Sequence, residues 1–273
     1  MSIVVKRSFP VSRTDLAMAG ALLLVAGIAW MVVIGQAHTM GAMTADRARA
    51  MADMGMGKPG LVTVPGLLGY VGAWGVMMAA MMLPSALPMM LLYRRVSGGT
   101  NQGASIPTTG LFVLGYLIVW TALGVPLYLG KQALAREFNH DPRLGALAPY
   151  GVGVILVMAA LYQFTRLKAA CLRTCRSPLA FLMEHWRAGA RGALPLSVEH
   201  ALYCVGCCWG LMAVLVVAGA MGIVWASTIA LLVFAEKLLP RGRLTGGAAG
   251  VLLLALGAAV LLHPTFSTVL SST

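Results

Sequence analysis

The stretch from His200 to Pro240 reads HALYCVGCCWGLMAVLVVAGAMGIVWASTIALLVFAEKLLP. It holds two apolar runs, one starting near Ser197 and one near Ile223, joined by a tight turn around Ala220 to Gly222. A bilayer-spanning helix needs about 20 mostly apolar residues. A histidine and three cysteines open the stretch, and Glu236 and Lys237 close it. Working outward, similar runs recur on both sides, and they set the class of the whole chain.

Hydrophobic residues make up 59% of the 273 residues and charged residues only 10%, against about 25% charged in soluble domains. No connecting stretch is long enough to bury a core of its own. The expectation is an all-α, polytopic membrane bundle of about seven spans, forming one integral membrane domain over residues 1–273. Its helices close their own backbone hydrogen bonds, as hydrocarbon demands. The net charge of +12 does not point to nucleic acid, because the basic residues cluster beside the apolar runs. Anionic headgroups of the lipid bilayer are the natural partner for such charge.

Lys6, Arg7 and Arg13 precede the apolar run Leu16 to Gly35. Gly35-Gln36-Ala37 is spaced like a cleavage site, but the run exceeds a usual signal core and reads as an uncleaved first helix. A loop from 38 to 66 follows, carrying His38, Met40, Met43, Met51, Met54 and Met56. Thioethers suit Cu(I), although methionine also serves as adaptable filler. The second helix, about Leu67 to Tyr93, places Met77, Met78, Met81 and Ser85 within one arc. Pro84 and Pro88 are expected to bend it. The third and fourth helices are expected over about Thr109 to Gly130 and Pro149 to Leu167, with a polar loop at Glu137, His140 and Asp141 between them. The seventh is expected over about Gly246 to Leu262.

Between the fourth and fifth helices lies a basic inner loop, residues 166–195, containing CLRTC. Cys171 and Cys175 stand at i, i+4 on one helical face. Nearby Lys168, Arg173 and Arg176 are expected to favour thiolates. Two thiolates are too few for a closed metal site, and the segment also reads as an amphipathic interfacial helix. With the N-terminus in the cytoplasm, fourteen of the 20 lysines and arginines fall on the inner side, as the positive-inside rule requires. The setting is then the inner membrane of a bacterium.

On a helix, His200, Cys204, Cys207 and Cys208 lie within an arc of about 100°. Thiolates and an imidazole suit soft metals. In a reducing inner leaflet, with Met81 or Met82 at similar depth, Cu(I) is favoured over Zn. The same cysteines also fit close helix packing beside Gly206 and Gly210. Glu236, an ionisable group in an apolar run, is a functional candidate by default; it needs a partner such as Arg241, Arg243 or a residue of the basic loop. No HxxxH pair, nucleophile–base pair, carboxylate pair or phosphate-binding glycine loop suggests catalysis.

Trp74 with AMMLPSALPM (Ala80 to Met89), YQFTRLKAACLRTCRSP (Tyr162 to Pro178), HALYCVGCCWGLM (His200 to Met212) and EKLLP (Glu236 to Pro240) together resemble the DUF2182 family. Its members are described as metal-binding integral membrane proteins and often labelled copper chaperones. The resemblance implies copper handling and a cuproprotein partner in the membrane or periplasm. Two other readings stay open: a thiol–disulfide protein using Cys171/Cys175 and Cys204/Cys207, and a structural subunit of a larger membrane complex.

Overall fold

A computed structural model of the chain describes residues 12–41, 60–99, 106–187, 189–217 and 222–263. Every regular element among them is an α-helix: α1 Arg13–Gly41, α2 Val64–Gly99, α3 Ile106–Ala122, α4 Gly124–His140, α5 Pro142–Gln163, α6 Arg166–Arg176, α7 Pro178–His185, α8 Gly189–Val217, α9 Ile223–Leu238 and α10 Gly242–Leu262. Met43, Met51, Met54 and Met56 of the methionine-rich loop lie outside the described residues, as does most of the turn expected at Ala220 to Gly222.

Six helical stretches among the described residues are long and apolar enough to cross a membrane: Arg13–Thr39, Val64–Ser97, Ile106–His140, Arg143–Gln163, Gly189–Val217 and Gly242–Leu262. The sixth helix expected from sequence, α9, has 16 residues. That is about 24 Å of helix, short of a hydrocarbon core of about 30 Å. The polar loop expected around Glu137 is instead helical to His140. Asp141 then caps α5 by accepting from Arg143 N at 2.9 Å, which satisfies one of the free donors of the first turn.

The basic loop folds into two short helices. Thr165 starts α6 by accepting from Lys168 N at 3.3 Å, and Pro178 opens α7, where its missing N–H costs nothing. Helix α2 runs through Pro84 and Pro88. Each proline removes a backbone donor, which leaves the carbonyls of Ala80 and Pro84 without their usual partners.

Packing sets the order of the helices. Helix α5 lies along α10, α1 along α2, and both α3 and α6 along α8. Tyr162 Oη donates to Gly206 O at 2.5 Å, so the end of α5 and the start of α6 are level with the middle of α8. At one end of the α1–α2 pair, Asp15 accepts from Arg94 and Arg95, both at 3.0 Å. The core is one continuous cluster. Met77, Met78, Met81, Met82, Met89 and Met90 of α2 are buried in it, with Tyr93, Phe112, Tyr116, Phe181 and the α8 cysteines.

Candidate metal centre

Helix α8 buries His200, Cys204, Cys207 and Cys208 on one side. All four point into the bundle, as the shared arc requires. The Cys207 and Cys208 thiols donate to the carbonyl of Cys204 at 3.1 and 2.9 Å. Helix α8 begins at Gly189, earlier than expected, so Cys204 stands about 22 Å along it rather than about 10 Å. The cluster still lies level with the basic helix α6, because the Tyr162–Gly206 contact fixes that height.

Cys204 Sγ is the hub. Lys237 Nζ reaches it at 2.9 Å and the Tyr116 hydroxyl at 3.1 Å. Lys237 Nζ also donates to Ser85 Oγ at 3.2 Å. A buried ammonium needs a counter-charge, and Cys204 Sγ is the atom within reach that could carry one. Ser85 follows Met81 by one helical turn and in turn donates to Met82 O at 3.0 Å. Met77, Met78, Met81 and Met82 of the same helix are all buried, and Ser85 is the α2 side chain that reaches the ammonium.

Helix α6 brings a fourth sulfur. Cys175 lies near the sulfurs of Cys204 and Cys207, whose influence holds its thiol well above the ordinary value. Burial pushes Cys171 up as well. The expectation that basic neighbours favour thiolates on α6 is overturned. Lys168 is committed to Glu236 Oε2 at 2.7 Å, and Arg176 spends its donors on the carbonyls of Glu236 and Pro240 at 2.7 and 3.2 Å. Cys171 packs against Gly206, where an added methyl group would meet its sulfur at 2.8 Å.

His200 is buried among Phe112, Tyr116 and Phe181, with ring centroids at 6.4, 6.1 and 5.4 Å. Its Nδ1 is buried and has no hydrogen-bond partner among the described residues, a costly arrangement for a polar atom. Among the described residues, no set of three or more His, Cys, Asp or Glu side chains is arranged to hold a metal ion.

Sequence reasoning missed Lys237 and Tyr116 as neighbours of the site, while the partner expected for Glu236 in the basic loop is found in Lys168. The adjacency of Glu236 and Lys237 was the available signal. Neighbours on a helix diverge by about 100°, so each must serve a different cluster. Glu236 faces Lys168, a residue of the basic stretch, and Lys237 faces the sulfur.

The model of the family described as PpoB2, copper chaperone, matches residues 71–260. That range contains every residue of the cluster. No curated protein and no solved structure matches the chain.

Proposed function

The chain belongs to the copper-chaperone family that its residues 71–260 match, and from that premise we propose that it is a membrane-embedded carrier of Cu(I). The cargo ion sits between the thiolates of Cys204 and Cys207. The further donors we assign to it are His200, on the same buried face of α8, with Cys175, Cys208 and Met81 or Met82. Because no three of the His and Cys side chains among the described residues stand arranged for a metal at rest, binding requires them to turn toward the ion. The observation that carries this reading is the packing of α6 on α8, which sets Cys171 Sγ against Gly206 and Cys175 near the sulfurs of Cys204 and Cys207.

Charge supports a monovalent ion. Two thiolates, one Cu(I) and the Lys237 ammonium sum to zero, whereas a divalent ion leaves a net positive charge buried. An uncompensated buried charge costs several kcal/mol, about 3–5 on breaking a pair. Soft sulfur donors favour Cu(I) on the same side of the argument. The chemistry is ligand exchange between sulfurs, without change of oxidation state, and the recipient is a cuproprotein at the membrane or in the periplasm. The setting is a bacterial inner membrane.

Elemental analysis of protein purified from copper-supplemented cells tests the reading. The wild type is expected to carry about one copper per chain, and the Cys204→Ser/Cys207→Ser/Cys208→Ser variant almost none. Unchanged copper in that variant overturns the proposal. The thiol–disulfide reading gains one specific observation, since Cys175 of α6 lies near Cys204 and Cys207 of α8; its pairs would run between those helices. Thiol trapping at defined redox poise excludes it if all five cysteines stay reduced.

A further inference from the structure

Below the sulfur cluster, α6 and the start of α10 enclose a groove of about 170 Å³. Arg173, Arg176, Arg241 and Arg243 line it, with Leu172 and Leu244, and no acidic residue does. Arg176 is occupied by the carbonyls of Glu236 and Pro240, which fixes the floor. Arg173, Arg241 and Arg243 have no ion-pair partner among the described residues. Helix α10 starts at Gly242 with no side-chain cap, so the positive end of its dipole opens toward the same place. Four guanidiniums around one recess repel each other unless an anion joins them.

We propose that this groove binds the phosphodiester headgroup of an anionic phospholipid. Guanidinium forks match phosphate oxygens in geometry and charge. Basic recesses between helices on the inner side of a membrane suit such headgroups. The rim distinguishes a lipid from a soluble anion. Leu244, which lines the groove beside Arg243, is 67% exposed. Apolar side chains exposed next to arginines belong at the boundary between headgroups and acyl chains, where they would contact the tails of the lipid whose phosphate the arginines hold. The inference rests on the chain lying in a bilayer and not on copper.

Native mass spectrometry of the full chain in mild detergent tests it, with phosphatidylglycerol and phosphatidylcholine of identical acyl chains as probes. The wild type is expected to retain phosphatidylglycerol in preference. Arg173→Gln/Arg241→Gln/Arg243→Gln is expected to weaken that retention about hundredfold, at roughly fivefold per guanidinium near the surface. Arg143→Gln, an exposed arginine before α5 enters the bundle, is expected to change nothing. Equal retention of the two lipids, or an unaffected triple variant, overturns the proposal. Displacement of the lipid by millimolar inorganic phosphate overturns the lipid assignment in favour of a soluble anion. If the triple variant does not fold, the wild type decides alone: a larger rise in unfolding temperature with phosphatidylglycerol than with phosphatidylcholine supports the site, and equal shifts overturn it. Copper content is measured on the same samples, so loss of lipid with copper retained separates this site from the metal centre.

Discussion

Cys171 and Cys175 share a helix face yet have different surroundings. Cys175 lies near the two sulfurs at the centre of the cluster, while Cys171 fills the space over Gly206. Cys175→Ser is therefore expected to weaken copper binding about 10–100-fold, the range for removing a neighbour of metal ligands. Cys171→Ser is expected to leave it nearly unchanged. Competition against a Cu(I) chelator measures both, and equal effects would contradict the assignment. Helical spacing alone brought out His200, Cys204, Cys207 and Cys208, because four ligand-type residues on one arc need no tertiary information. The joining of Cys175 to them was not legible, nor was the Lys237–Cys204 contact. Both depend on how α6 and α9 dock on α8, and spacing within one helix carries nothing about docking.

At the scale of elements, the firmest pairing is α5 against α10, and glycine makes it possible. A methyl group on Gly257 would lie 3.0 Å from the backbone nitrogen of Val157 and 2.8 Å from its Cγ2. One on Gly153 would lie 2.8 Å from Leu261. The helices thus approach backbone to backbone, in the manner of small-residue interfaces within membranes. Because Val157 offers backbone and not a flexible tip, it cannot yield. Gly257→Ala is expected to cost about 1–3 kcal/mol, read as a lower unfolding temperature in detergent. Gly247→Ala, with nothing within 4 Å of the added methyl, should be neutral or slightly stabilising. The reverse order would show that the pairing is misplaced. Apolar runs located these helices in the sequence, but their ends ran longer than hydropathy suggested: α8 begins at Gly189 and α2 ends at Gly99. Polar and small residues at helix ends stay helical when neighbouring helices cover them, and hydropathy cannot register that cover.

For the whole molecule, the question is how a chain with six membrane-length stretches among its described residues arranges its two ends. Asp15 at the start of α1 pairs with Arg94 and Arg95 at the end of α2, so those two ends share a side. Helix α8 climbs past α5, with Gly206 against Tyr162 and Gly210 against Ala159. Helix α9 must come back down, because Lys237 near its end meets Cys204 again. Helix α10 then climbs beside α5, as the approaches of Gly250 to Phe164 and of Gly257 to Val157 require. Although α9 has only 16 residues, it reverses the chain as a full span would, since α8 and α9 need only match each other in height above Cys204. The basic helix α6 and the arginine groove stay at the descending end. The expected topology therefore keeps residue 12 and Ser177 on one side and His263 on the other, with the inner side set by the excess of basic residues. Reporter fusions before residue 12, at Ser177 and after His263 check this. The first two should report the cytoplasm and the third the periplasm. A cytoplasmic third reporter would mean that α9 does not return the chain, and the Lys237–Cys204 contact on which the charge argument for Cu(I) depends would fall with it.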